Sequence, residues 1–261
     1  MTELDAFILG VIQGLTEFLP VSSSGHLEIT RSLLNANQLD SENTLMTVVL
    51  HFGTALSTII IFKKDILDLF RGAFKKKSNS DQKYLLNILI SMIPAAIVGF
   101  IFEQDIESLF SGNLILVGIM LILTGLLLFL TKVLKPKSKE IKKSHSLIIG
   151  ISQAIAVIPG VSRSGATICT SILLGNKKNE AAKFSFLMVI PVIFGKISKD
   201  IFGGNLFTEN VNFLVLTIGF LSALITGVVA CKLMLNIVKK NNLVYFSYYC
   251  IILGLISIFI I

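Results

Sequence analysis

Six apolar runs of about 20 residues are the feature that most restricts how this chain can fold. They cover residues 44–62, 84–102, 113–131, 184–202, 211–231 and 243–261. An α-helix needs about 20 apolar residues to cross a hydrocarbon core of roughly 30 Å. The mean hydropathy of +0.82 also lies well above the range of soluble domains. The sequence therefore predicts an all-α polytopic membrane protein with six transmembrane helices and no room for a soluble domain.

Two further apolar segments, 4–30 and 147–174, contain helix breakers. The first has Pro20 followed by three serines, and the second has Pro159 and Gly160 followed by a Ser-Arg-Ser cluster. Because proline and glycine interrupt helices, neither segment is predicted to be a plain spanning helix.

The distribution of Lys and Arg predicts the orientation in the membrane. Segment 63–83 carries seven basic residues and 132–146 carries six, whereas 103–112 and 203–210 carry none. Basic loops stay in the cytoplasm, so the first two segments are predicted to be cytoplasmic and the last two external. With these loops fixed, the first broken segment must enter and leave from outside and the second from the cytoplasm. Both are predicted to be re-entrant hairpins.

Residues 10–25 and 150–165 form an internal repeat at an offset of 140. They read GVIQGLTEFLPVSSSG and GISQAIAVIPGVSRSG. The identical pairs are mostly Gly, Gln and Ser: Gly10/Gly150, Gln13/Gln153, Val21/Val161, Ser22/Ser162, Ser24/Ser164 and Gly25/Gly165. We predict two halves, 1–131 and 147–261, each with one hairpin and three spanning helices. An odd number of crossings inverts the second half, which gives an inverted-topology repeat.

The polar side chains of the broken segments predict a site for a polyanion. Gln13 and Glu17 are four residues apart and would share one face of a helix. The serines after each break are typical N-cap residues, and the N–H groups that begin a helix bind anions. Arg163 adds a guanidinium suited to bidentate phosphate contact.

Simpler roles remain open for each of these residues. Serines 22–24 could be a packing surface, and Gln13 could make an interhelical hydrogen bond. Glu17 and Arg163 could form a structural ion pair, since each alone would cost about 2.5–3.5 kcal/mol or more at the bilayer centre. His26 could satisfy a backbone carbonyl, or it could accept the hydroxyl proton of Ser23, three residues earlier.

Two motifs, QGLTEFLPVSSSGH (13–26) and PGVSRSGAT (159–167), resemble those of the undecaprenyl-diphosphate phosphatase family. These are membrane phosphatases of the bacitracin-resistance type, and the resemblance covers essentially the whole chain. It implies dephosphorylation of undecaprenyl diphosphate to undecaprenyl phosphate, which recycles the lipid carrier for peptidoglycan synthesis and confers bacitracin resistance. It also implies a multi-pass protein of the bacterial plasma (inner) membrane, with its active site facing the periplasm.

The resemblance assigns roles to single residues. The family's Glu/Gln-x-x-x-Glu motif falls on Gln13 and Glu17, in its glutamine form, and its serine and histidine fall on Ser23 and His26. Its second motif falls on Pro159, Gly160, Ser162, Arg163, Ser164 and Thr167. The residues expected to be catalytic are Ser23, His26, Glu17 and Arg163. Those expected to bind substrate are Gln13, Ser22, Ser24, Gly25, Gly160, Ser162, Ser164, Gly165 and Thr167.

Cofactors and partners complete the expectation. Glu17, with Gln13, could hold Mg²⁺ or Ca²⁺ against the diphosphate oxygens, although the glutamine weakens a two-carboxylate site. No organic cofactor and no nucleic acid are expected. The partners are a polyprenyl diphosphate lipid and the bilayer, with a homodimer left open. The sequence leaves open whether Glu17 or His26 is the base and whether a phosphoserine forms. It also leaves open an alternative function, a polyprenyl-phosphate transporter or flippase, which would use the same architecture.

Overall fold

Twelve α-helices make up the described part of the chain. The computed structural model describes residues 1–34, 41–75, 80–110, 112–133, 139–202, 212–240 and 243–259. In these ranges there is no β-strand. The helices are α1 (Glu3–Phe18), α2 (Ser23–Leu33), α3 (Ser41–Ile61), α4 (Lys63–Ala73), α5 (Ser80–Ile101), α6 (Glu103–Leu109), α7 (Leu114–Val133), α8 (Lys143–Ile155), α9 (Arg163–Leu173), α10 (Lys178–Phe202), α11 (Phe213–Lys239) and α12 (Val244–Phe259).

Several of these helices can cross a membrane. By length and composition four qualify, namely α5, α7, α10 and α11, and α3 with α4 forms a fifth candidate that bends by 76°. The apolar α12 has 16 residues and is shorter than these. The prediction of an all-α, multi-span membrane protein is therefore confirmed. The exact number of six spans, and the re-entrant paths, stay predictions.

Two predicted connecting segments contain helices of their own. Segment 63–83 includes α4, and 103–112 includes α6. Helix α4 forms because Ile66 and Leu69, three residues apart, pack against the main hydrophobic core while its charged residues lie elsewhere on the helix. The external segment predicted at 203–210 lies outside the described residues.

Both broken segments are interrupted where the breakers stand. Helix α1 ends at Phe18, two residues before Pro20, and α2 begins at Ser23. Helix α8 ends at Ile155, and α9 begins at Arg163 after the Pro159–Gly160 pair. Each segment is thus a pair of short helices joined by a non-helical stretch, as the sequence predicts.

Small residues let helices from the two halves of the chain approach closely. A Cβ added to Gly14 of α1 would lie 2.7 Å from the carbonyl oxygen of Ala223 in α11, and one added to Gly254 of α12 would lie 2.6 Å from that of Gly118 in α7. Backbones that approach this closely are typical of packed membrane helices. Helix α1 of the first half packs on α11 of the second half, and α8 of the second half packs on α5 of the first. Helix α7 packs on α12. This packing brings the two breaks to the same place.

Candidate active site

The two non-helical breaks lie against each other. Ser164 Oγ donates to the carbonyl oxygen of Leu19 at 3.1 Å. A Cβ added to Gly25 would lie 3.2 Å from the Cα of Gly160. The residues that the sequence predicts to bind substrate in the first half therefore meet those of the second, although about 140 positions separate them.

Matching N-caps begin the helices that follow the breaks. Ser22 Oγ accepts the N–H of Gly25 at 3.2 Å, and Ser162 Oγ accepts that of Gly165 at 3.0 Å. The hydroxyls of Ser22 and Ser24 are 3.2 Å apart, and those of Ser162 and Ser164 are 3.3 Å apart. The predicted cap role is confirmed for both clusters. Two positive helix ends with four hydroxyls thus lie beside the same break region.

Glu17 is the centre of the polar cluster. Its side chain is 7% exposed, and its Oε1 accepts from Arg163 at 2.5 Å. Its Oε2 accepts from Gln13 Nε2 at 3.0 Å and from Ser23 Oγ at 2.9 Å. The Glu17 carboxylate thus joins three other predicted site residues, which are Gln13, Ser23 and Arg163.

Arg163 is anchored by a second contact that the sequence did not predict. It donates to the carbonyl oxygen of Ser185 in α10 at 3.0 Å. The Ser185 hydroxyl is 2.7 Å from that of Thr167, which also donates to the Arg163 carbonyl at 2.8 Å. Only one weak signal marks Ser185: it is a serine between two phenylalanines inside an apolar run. Thr167 therefore contacts Ser185, the residue whose carbonyl oxygen anchors the guanidinium, and not the guanidinium itself.

The side chains of Ser23 and His26 form hydrogen bonds with other groups and not with each other. The Ser23 hydroxyl donates to Glu17. His26 Nδ1 is 2.7 Å from the carbonyl oxygen of Ser22, and its Nε2 is 2.7 Å from Tyr249 Oη. Of the two bases that the sequence leaves open, Glu17 is the one bonded to the hydroxyl, and His26 makes the carbonyl contact.

The backbone at both breaks takes a left-handed turn. Gly160 has a φ of +92°, which glycine adopts without strain, but Ser22 has a φ of +69°. A residue with a Cβ in this region costs roughly 1–2 kcal/mol. The strain lies directly before Ser23, which is where a sharp backbone turn exposes that hydroxyl to Glu17.

Gln13 leaves one polar atom open. Its Oε1 is buried and has no hydrogen-bond partner within the described ranges. The same holds for both amide atoms of Gln153, its counterpart in the repeat. A buried amide oxygen beside a carboxylate is a fitting donor set for a hard cation such as Mg²⁺ or Ca²⁺. In the described part of the chain no three His, Cys, Asp or Glu side chains form a group that could hold a metal ion.

The arrangement is suited to phosphoryl transfer. It combines a hydroxyl bonded to a carboxylate, a guanidinium and two helix N-termini, within a membrane protein whose surrounding helices are apolar. Such groups stabilise charge that develops on a transferred phosphoryl group.

Comparison with known proteins identifies the family of this chain. The sequence profile of the bacitracin resistance protein BacA family matches residues 6–256. The chain belongs to this family. The match includes both breaks and all the residues of the Glu17 cluster.

Individual BacA relatives are similar over nearly their full length. A protein of Christiangramia forsetii named undecaprenyl-diphosphatase is 52% identical over 99% of this chain and 98% of its own length. Proteins of the same name from Parabacteroides distasonis and Methanococcus vannielii are 48% and 40% identical, over 99% and 98% of this chain and 98% and 99% of theirs.

Proposed function

We propose that this protein is an undecaprenyl-diphosphate phosphatase. It removes the terminal phosphate of undecaprenyl diphosphate, leaving undecaprenyl phosphate, and thereby recycles the lipid carrier of peptidoglycan synthesis and confers bacitracin resistance. The observation that carries this function is the Ser23 hydroxyl, which donates to Glu17 at 2.9 Å while the other carboxylate oxygen is bonded to Arg163. The name shared by relatives at 40–52% identity gives the substrate.

In the proposed mechanism Ser23 is the nucleophile. Its Oγ attacks the terminal phosphorus, its proton passes to Glu17, and the bond from that phosphorus to the bridging oxygen breaks. Undecaprenyl phosphate leaves, and a phosphoserine remains. Glu17 gives the Ser23 proton to the departing undecaprenyl phosphate and is a carboxylate again. Water then attacks the phosphoserine phosphorus while Glu17 takes the water proton, the bond from phosphorus to Ser23 Oγ breaks, and Glu17 returns the proton to that Oγ as orthophosphate leaves. Glu17 fits the role of base because it is already within hydrogen-bond distance of the hydroxyl.

Arg163 and the two helix N-termini are proposed to bind the diphosphate. Arg163 keeps its orientation through Ser185 while it contacts Glu17, so the guanidinium needs little reorganisation when a phosphoryl group enters. Ser22, Ser24, Ser162 and Ser164 supply hydroxyls beside the break. Gly25, Gly160 and Gly165 are proposed to present backbone groups to the diphosphate. They also let the two breaks pack together, because a Cβ added to Gly25 would lie 3.2 Å from the Gly160 Cα and one added to Gly160 would lie 2.5 Å from the Val117 carbonyl oxygen.

A divalent cation is proposed as an aid to binding. Gln13 Oε1 and a Glu17 oxygen would hold Mg²⁺ or Ca²⁺, and the diphosphate and water would complete its shell. Such an ion would neutralise charge on the diphosphate oxygens.

The membrane arrangement follows from the charge pattern. We propose six spanning helices and two re-entrant hairpins in an inverted repeat of 1–131 and 147–261, in the bacterial plasma (inner) membrane, with the site open to the periplasm. In each half the first helix of the broken segment packs on a spanning helix of the other half, α1 on α11 and α8 on α5, and this symmetry supports the repeat. The prenyl tail would stay in the bilayer while the head group reaches the site sideways. All the residues of the site come from one chain, so a homodimer is compatible with this mechanism but not required.

A transporter or flippase for the monophosphate is the alternative, because broken helices in inverted repeats also build transport sites. It would need the guanidinium and the helix ends but no hydroxyl bonded to a base. Phosphate release from a polyprenyl diphosphate by the purified protein in detergent separates the two functions, since no transport can occur there. We expect stoichiometric orthophosphate and polyprenyl phosphate. Binding of the lipid without phosphate release would support the transporter.

A further inference from the structure

We propose that His26 is a positioning residue, and that with Tyr249 of α12 it fixes the strained backbone that directs Ser23 at Glu17. This inference rests on the proposed phosphatase function, and it adds Tyr249, to which neither the motifs nor the repeat assign a role.

Both nitrogens of the His26 ring already have partners. A carbonyl oxygen only accepts, so His26 Nδ1–H donates to Ser22 at 2.7 Å. In the neutral ring Nε2 then carries the lone pair and accepts the hydroxyl proton of Tyr249 at 2.7 Å. The two contacts select one tautomer, Nδ1–H, and leave no ring nitrogen for the proton of Ser23.

The carbonyl that His26 binds belongs to the strained residue. Ser22 has a φ of +69°, and its carbonyl oxygen accepts both the backbone N–H of His26, at 3.2 Å, and its Nδ1–H. Strained conformations persist only where the surrounding structure holds them. Relaxation of Ser22 would turn the peptide that leads into Ser23 and lengthen its 2.9 Å contact with Glu17.

Helix α12 holds this clamp from the opposite half of the chain. The rings of Tyr249 and His26 stack with centroids 5.7 Å apart and planes 6° from parallel. The neighbouring Cys250 donates its Sγ–H to the carbonyl oxygen of Pro20 at 3.6 Å. Two consecutive residues of α12 thus contact the first break at Pro20 and the first turn of α2 at His26.

Amide replacements at His26 separate a clamp from a base. The side-chain amide of Asn can reach the place of Nδ1 and donate to Ser22, whereas that of Gln extends to the place of Nε2. If His26 positions Ser23, His26→Asn should keep kcat within about tenfold of wild type, while His26→Gln and His26→Ala should lose about 10²-fold, as a misplaced reacting group does. KM should change little in all three. Equal, severe losses in folded His26→Asn and His26→Ala would overturn the clamp.

Tyr249 gives a second, independent test. Tyr249→Phe keeps the stacked ring but removes the hydroxyl, and we expect kcat to fall about threefold to tenfold with KM unchanged, roughly the effect of one lost hydrogen bond. Tyr248→Phe is the matched control, because Tyr248 is the adjacent exposed tyrosine, at 49% exposure against 46% for Tyr249. A Tyr249→Phe enzyme equal to Tyr248→Phe would remove Tyr249 from the positioning role.

The tautomer itself can be observed without activity. In ¹⁵N-histidine-labelled protein, the imidazole resonances that disappear in His26→Asn belong to His26. They should show Nδ1–H in the wild type and also in Tyr249→Phe, where the Ser22 carbonyl still selects this tautomer, with the Nε2 resonance shifted because its hydrogen bond to Tyr249 is lost. An Nε2–H tautomer in the wild type would refute the clamp, even if phosphatase activity is present. Absence of phosphate release by the wild type would refute the proposed function and leave this spectroscopic result to decide the contacts.

Discussion

Replacing Glu17 by Gln is the sharpest test of the chemistry. The substitution keeps the size of the side chain and one carbonyl oxygen that can still accept from Arg163. It removes the negative charge and the ability to take a proton from Ser23. A role in catalysis and a role in stability therefore predict different results.

The magnitudes follow from the contacts. Loss of a general base lowers the rate by about 10²–10⁴, and a 10²-fold loss corresponds to roughly 2.7 kcal/mol in activation free energy. Breaking a buried ion pair lowers the free energy of unfolding by about 3–5 kcal/mol, and the remaining hydrogen bond to Arg163 should keep the loss near the lower value. We expect kcat to fall at least about 10²-fold in the protein that remains folded.

Glu28→Gln is the matched control. Glu28 pairs with Arg31 at 3.4 Å, with side chains 7% and 15% exposed, whereas Glu17 and Arg163 are 7% and 16% exposed. Both substitutions thus break a buried Glu–Arg pair, but only Glu17 contacts Ser23. Orthophosphate release in detergent, normalised to folded protein by size-exclusion chromatography, should be close to wild type for Glu28→Gln. If turnover in Glu17→Gln is no lower than in Glu28→Gln, Glu17 is not the general base.

Three further predictions concern the nucleophile, the packing and the topology. Ser23→Ala should lower kcat at least about 10²-fold with KM within a few fold, since the hydroxyl acts in the transition state; steady-state kinetics that retain most of kcat would mean that water attacks directly. Gly14→Ala should lower the thermal unfolding midpoint, because its Cβ would collide with α11, whereas Gly99→Ala, with nothing within 4 Å of its Cβ, should leave it unchanged or raise it. Single cysteines at Ser108 and Ser144, in a background without native cysteines, should react with an impermeant reagent on intact cells at Ser108 only; labelling at Ser144 alone would reverse the orientation.

The sequence by itself determined the features that depend on short stretches of chain. Apolar length predicted the positions of the long helices, because crossing a bilayer sets a minimum run. Pro20 and the Pro159–Gly160 pair predicted both breaks, and Ser22 and Ser162 predicted the caps, because these residues act on the backbone within a few positions. Helix α4 was missed because its short amphipathic pattern lies within a basic segment that reads as a loop.

Only the tertiary structure decided how the polar residues are connected. The choice between Glu17 and His26 as the partner of Ser23 depends on how the left-handed turn at Ser22 orients the start of α2, which spacing cannot reveal. The anchors of Arg163 and His26 come from α10 and α12, at sequence separations of 22 and 223 residues. Such contacts depend on how whole helices pack; α12, which carries Tyr249, lies close to α7 at Gly254 and Gly118, and that is a property of the packed molecule rather than of any local stretch.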